Sequence, residues 1–255
     1  MILSKECVSL NPAYPSSELT IECLIAFAHS FINHSDLSSS EPIRSLPFRN
    51  NPFLLSEEIL ALYPVEITSQ MYTIVVYFDK WQLMCRSPLD VVNDWLRQFQ
   101  FDYSRFCLLF EGFERMQKYY TPASDSNYSL MPIGTAKDKR TTWINAHQIQ
   151  KIQESKYFTR VQLLNGLSLP TIKKEYSLKK NIRSAVITAH FLKEADSLWY
   201  GFKNQHKYLQ PEKLNLSCKS LASILVNQED FLFSSEEITT LQQKIVELRH
   251  QLLLK

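Results

Sequence analysis

Glycine is scarce in this 255-residue chain, with only 4. Scarcity of glycine speaks against glycine-rich phosphate loops. It also disfavours tight all-β architectures, whose turns need many residues at positive φ. Cysteine is present but unpatterned: Cys7, Cys23, Cys85, Cys107 and Cys218 are scattered through apolar runs, with no CxxC or CxH pair. Neither a zinc site nor a disulfide framework is supported, and the five read as buried thiols in a reducing compartment. The longest apolar runs, such as Tyr72–Phe78 and Phe106–Phe110, are far too short to span a bilayer. The N-terminus has no basic flank leading into a long apolar stretch, so no secretory signal is expected. No GxSxG elbow exists, and no other catalytic signature stands out. These absences lead us to expect a soluble, intracellular protein that binds rather than catalyses, with no cofactor.

Charge, by contrast, is present and segregated. Residues 137–193 hold 12 Lys and Arg against 3 Asp and Glu, a net +9, whereas the whole chain is only +2. Residues 1–100 hold 6 basic and 11 acidic residues, a net −5. A basic stretch beside an acidic half suits a polyanion, most simply nucleic acid. Arg140, Lys151, Lys156, Arg160, Lys173, Lys174, Lys179, Lys180 and Arg183 supply flexible cations for phosphates. Trp143, Tyr157 and Tyr176 are interleaved and could stack on bases. A solvated basic face, or one that meets an acidic protein, would have the same composition.

Hydrophobic content of 45% and aromatic content of 12% suffice for a packed core. The chain opens with a short strand expected at Met1–Leu3. A helix follows over Glu18–His34, capped by Ser16 or Ser17, with His29 and His34 near its end as core or helix-terminal histidines. Ser35–Pro52, with Pro42, Pro47 and Pro52, reads as a loop. A short helix is expected from Ser56, ended by Pro64. Met71–Phe78 reads as a strand covered on both faces. Pro88 opens a helix carrying Leu89, Val92, Leu96 and Phe99 at helical spacing. Arg105–Phe110 reads as a second buried strand, Thr121–Lys139 as a polar loop, Ile144–Ser155 as a polar helix, and Phe158–Leu164 as a third strand. Helices are then expected at Thr171–Tyr176, Lys179–Phe202, Cys218–Gln228 and Glu236–Leu254, the last capped at Ser234 or Ser235.

That alternation predicts α/β followed by α: a partly parallel sheet flanked by helices, with a C-terminal helical module. The expected units are an N-terminal helical region at 1–65, an α/β domain at 66–170 and the helical module at 171–255. In the last helix Ile238, Leu241, Ile245, Leu248 and Leu252 follow 3-4 spacing, which serves a partner or the chain's own core equally well. Glu111 and Glu114 flank a turn after a predicted strand, and Asp79 follows another, so the three could share a metal ion, but strand-end solvation explains them as well. Cys107 lies in an apolar run and should be inert. Leu163–Ser168 followed by Ile172 is similar to the entry of a helix-turn-helix, with a reading helix from Lys179.

Two pieces, Phe106–Tyr120 (FCLLFEGFERMQKYY) and Phe158–Leu164, within Met71–Lys255, resemble the nuclease-type α/β domain of the XPF family of structure-specific endonucleases. Catalytic members carry a Glu-Arg-Lys cluster before the helix that Pro88 opens. Here the stretch reads VVYFDKWQLMCRSPLD, where Asp79 and Lys80 are the only partial match. The resemblance therefore implies a non-catalytic, Eme-like subunit: a nuclear DNA repair or meiotic recombination factor, heterodimeric with a catalytic partner, with no metal of its own. It also implies a small helical domain over Ile182–Lys255, which lacks the glycine-containing hairpins used to approach a DNA backbone. The alternatives are a helix-turn-helix transcription or replication regulator using Leu163–Leu192, and a structural assembly protein with no DNA contact.

Overall fold

The computed structural model describes residues 59–67, 70–77, 81–113, 121–125, 129–195 and 220–253. The expectations for Met1–Leu3, Glu18–His34 with His29 and His34, the loop to Pro52 and the Ser56 cap lie outside them.

Among these residues, six strands form one sheet: β1 (Ala61–Ile67), β2 (Gln70–Val76), β3 (Trp81–Met84), β4 (Ala123–Ser124), β5 (Ser129–Pro132) and β6 (Trp143–Asn145). Their order is β3-β2-β1-β6-β5-β4, and every pairing is antiparallel. A second sheet has β8 (Thr159–Leu163) between β7 (Ile149–Glu154) and β9 (Ser168–Thr171), again antiparallel. The helices are α1 (Pro88–Arg97), α2 (Tyr103–Leu109), α3 (Glu175–Glu194), the single turn α4 (Ala222–Leu225) and α5 (Ser235–Leu253). Helices together with sheets, and a C-terminal helix, are present as expected, but the α/β expectation of a partly parallel sheet is corrected: among the described residues every strand pairing is antiparallel.

The large sheet is the middle layer. Along β2, Ile74 and Val76 enter one core with β7–β9 and α3, while Val75 enters a second core with α1, α2 and α5, joined just past the strand by Tyr77. This explains why Met71–Phe78 carries no charge until its end: its described strand is covered on both faces. An uncharged strand reports two covered faces, not strand direction, and that is where the parallel expectation failed. Few glycines are needed for the turns. The β7–β8 turn closes on Ser155, whose N–H and Oγ both donate to the Phe158 carbonyl at 2.8 and 2.6 Å. The β8–β9 turn does use one glycine, Gly166 at φ 89°.

Several local expectations change. Arg105–Phe110 is not a strand; its first five residues lie in α2. Asp102 caps that helix, accepting from the Arg105 N–H at 2.9 Å, and Tyr103, Phe106 and Leu109 turn inward at three-residue spacing. Ile144–Ser155 is not a helix but β6, a short 3-10 turn and β7. Ile149 and Ile152 mimic helical spacing because the register shifts between Ile149 and Lys151, and this bulge turns two residues three apart to one face. The predicted loop Thr121–Lys139 contains β4 and β5, both buried. Pro64 does not end a helix. It lies in β1 beyond Leu62, the last residue paired with β6, where an unpaired edge tolerates proline. Thr171 ends β9 rather than starting a helix, and α3 begins only at Glu175. The expected Cys218–Gln228 helix shrinks to α4, and Gln228–Phe231 forms a 3-10 turn. The unit boundaries at 65/66 and 170/171 are both crossed, by β1 and by β9, and α3 buries residues in both cores.

The proline-led helix α1 forms as expected, capped by Ser87, with Val92 and Leu96 buried. Helix α5 also forms as expected. Ser234 Oγ accepts from the Glu237 N–H, and Glu237 Oε2 accepts from the Ser234 N–H, a capping box. Leu241 and Ile245 are fully buried in the chain's own core, with Ile238 and Leu248 packed against it. Of the two roles their spacing allows, the structure gives these four the core, Ile238 and Leu248 being only partly buried there, and takes them from the partner-binding set; the Leu252 side chain is outside the description. Unfolding in urea should show that Ile245→Ala costs about 2–5 kcal/mol. The neighbouring Val246→Ala, on the exposed face, should stay within about 0.5 kcal/mol. Equal small effects would mean that α5 is not packed.

Candidate nucleic-acid interface

The three-stranded sheet is covered on only one face. Ile152, Val161 and Leu169 lie in one cross-strand row and enter the core. The residues between them face outward: Lys151 beside Gln162, and Gln153 beside Arg160. This outer face carries donors and no carboxylate among those four side chains. Gln153 and Gln162 were missed by sequence reasoning: the bulge that disguised β7 as a helix hid the alternation that marks Gln153, and Gln162, on a strand that was expected, carries no charge to single it out.

One end of this sheet gathers the cations and the exposed aromatic rings. Thr159 pairs with Thr171, so the turn Ser155–Phe158 lies beside the β9–α3 connection at 172–174. The Glu154 carboxylate then ties this end to α3 by accepting from the Glu175 N–H at 2.8 Å. That contact caps a helix whose N-cap, Lys174, makes no side-chain cap bond. Tyr157 is 79% exposed, Tyr176 78% and Ile172 93%. Lys156 lies 5.4 Å from the Tyr157 ring centroid and Arg160 5.1 Å from that of Phe158. Lys174 is exposed, and Lys173 is half-buried, its pKa pushed down to about 8 by desolvation. In the sequence Ile172 counts only toward the helix-turn-helix and the helix expected at Thr171–Tyr176; the structure instead exposes it just past the last β8–β9 pairing.

The remaining predicted cations are less concentrated. Lys180 is exposed on α3, and Lys179 pairs with Glu175 at 2.6 Å. Arg183 is held by Asp230, which raises its pKa through a hydrogen bond. Arg140 lies elsewhere, in the β5–β6 turn, where its N–H donates to Asp138. Trp143 is corrected: it is fully buried, edge-on to Tyr103 at 5.2 Å, and cannot stack on a base. Nor is there a helix-turn-helix at Leu163–Leu192. Leu163–Leu167 is a hairpin turn and Ser168–Thr171 a strand, so no first helix precedes α3.

The metal and nucleophile candidates gain nothing. Among the described residues no group of three His, Cys, Asp or Glu converges. Glu111 is exposed after α2, its carbonyl accepting from Lys244, while Asp79 and Glu114 lie outside the description. The Cys107 thiol is pushed up by burial and meets the Tyr103 and Thr121 hydroxyls rather than a histidine. No described helix is long and apolar enough to cross a membrane.

No protein-family model matches this chain. No solved structure matches it either. A glutamate–tRNA ligase 2 of Caldicellulosiruptor saccharolyticus is 34% identical over 145 residues, 52% of this chain but only 28% of that protein. The chain therefore spans little more than a quarter of the length of this relative.

Behind the sheet, His147 is buried in the 3-10 turn, and desolvation pushes its pKa down to about 4. The unfolded chain protonates it near 6.5. Between those values, as pH falls, the unfolded state takes up a proton that the folded state refuses, so stability falls. Above pH 6.5 the effect is absent; below about 4 it is complete, at roughly 3 kcal/mol. A His147→Gln variant should lose this component of the pH dependence, measured by urea unfolding from pH 7 to 4. An unchanged slope would show that another group carries it.

Proposed function

We propose that this chain is a non-catalytic nucleic-acid-binding module that grips a phosphate backbone at the outer end of β7–β9. The observation that carries the reading is the gathering of Lys156, Arg160, Lys173 and Lys174 around the exposed Tyr157, Tyr176 and Ile172. Cations near rings left open to solvent are what a strand of phosphates and bases requires. Ile224 and Leu232 are also exposed, so what supports the reading is not exposure alone but the placing of Tyr157, Tyr176 and Ile172 beside these cations at one sheet end. Duplex DNA is the first substrate, with Lys151, Gln153, Arg160 and Gln162 presenting donors beside the phosphates. A second reading, RNA, is favoured by the similarity to a glutamate–tRNA ligase, a protein named for its tRNA substrate. Pairing with another subunit in a repair or recombination complex rests on the resemblance to XPF-type subunits alone. A helix-turn-helix reader is set aside, because the strand β9 occupies its first helix.

Binding to duplex DNA, branched DNA, single-stranded DNA and tRNA at two salt concentrations tests this. Lys156→Glu with Lys174→Glu should weaken binding to every duplex alike. The log–log salt slope should flatten by about 2, at about 0.9 for each phosphate that is no longer neutralised. Tyr157→Ala should cost about 1–3 kcal/mol on single strands. A preference for tRNA would select the second reading. Absence of binding to all four at low salt would remove both readings in favour of a protein partner for the basic face.

A further inference from the structure

Helix α3 continues the basic surface away from the sheet. Tyr176, Lys180 and Arg183 recur at helical spacing, so they share one flank over about 10 Å. One and two turns further on, the same flank carries Ile187, which is 6% exposed, and His190, which is half-buried. What covers it is the segment after α4. The Phe231 ring lies 4.3 Å from His190, and Phe233 stacks on Phe191 at 4.3 Å. At the boundary between the open and covered parts, Asp230 takes both ends of the Arg183 guanidinium, accepting from Nε at 3.2 Å and from Nη2. The Asp230 carboxylate is aimed by its own turn, since the Asn227 N–H donates to it at 2.8 Å. Beside it Glu229 is exposed. A carboxylate clamped across a guanidinium in two bonds presents the geometry of a phosphate.

We propose that Asn227–Phe233 is an acidic clasp, which holds Arg183 in place of a phosphate and opens when nucleic acid occupies the α3 flank. The clasp regulates the interface argued above and rests on that reading. Its ion pair is exposed on the arginine side, so its hold is modest and a polyanion at low salt can displace it. Opening would lengthen the site by one phosphate. It would also free the aromatic residues Phe231 and Phe233 from α3.

The test is fluorescence anisotropy of the whole chain on a 20-base-pair duplex at several salt concentrations, with Asp230→Asn, Arg183→Gln and their combination. Asp230→Asn should bind about three- to five-fold tighter, the reach of one exposed ion pair. Its salt slope should be steeper by about 0.9. Arg183→Gln should weaken binding less in the wild-type background, where Asp230 competes for that arginine, than in the Asp230→Asn background, and it should cancel the gain in the double variant. Hydrogen exchange across Asn227–Phe233 should speed up on adding duplex. Unchanged affinity and slope in Asp230→Asn, with the wild type still binding and exchange unaltered, would overturn the clasp and leave the interface standing. If neither protein binds duplex and exchange does not respond, both ideas fall together.

Discussion

Helix α3 must belong to two cores at once, and the rest of the structure depends on that. Its first turns bury Leu178, Ile182, Ala185 and Val186 with the three-stranded sheet and one face of the large sheet. Its last turn buries Phe191 and Leu192 with α1, α2 and α5 on the other side. The Ala185 carbonyl also accepts from Ser129 Oγ at 2.7 Å, which pins the helix to β5. Eleven of its twenty residues are buried, so only one flank is free to carry charge. Among the described residues, Lys156, Arg160, Lys173, Lys174 and Lys180 lie where α3 emerges, on its exposed flank and at the sheet end that Glu154 fastens to it. Fold and charge pattern are two results of the same packing demand.

The cations at this end impose a cost that the structure offsets in different ways. Lys179 pairs within its own helix, Arg183 pairs with Asp230, and Lys156 and Arg160 lean on aromatic rings. Lys173 is partly desolvated, which is why its proton is held less firmly than that of an ordinary lysine. Lys174 and Lys180 are exposed. A surface graded from open to occupied cations differs from a uniform basic coat. On the proposed reading, such a surface would give a polyanion a defined place to start and a competitor to displace.

Much of this is legible in the sequence, but unevenly. The proline-led helix at Pro88, the strand within Met71–Phe78, the strand at Phe158–Leu164 and the capped helix after Ser234 all follow from caps and periodicity. The basic stretch is visible by counting. Direction of pairing is not, because Val75 and Val76 enter opposite cores whether their neighbours run parallel or antiparallel. Nor is β7, where one bulge gives a strand the spacing of a helix. The run RFCLLF looks like a strand because a seven-residue helix is too short to show its period. Of the candidate site, the cations and the two tyrosines stand out in the sequence itself. Their gathering at one sheet end does not, since it depends on the Thr159–Thr171 pairing and on Glu154 reaching the start of α3.

Photo-crosslinking followed by peptide mapping tests the central claim most directly. A duplex carrying 5-bromouracil would be bound by the intact chain at low salt and irradiated. The account places the adducts on the peptides that contain Tyr157 and Tyr176, with loss of crosslinking as salt is raised. Adducts confined to the Arg140 turn or to the exposed face of α5, or none at saturating duplex, would contradict it.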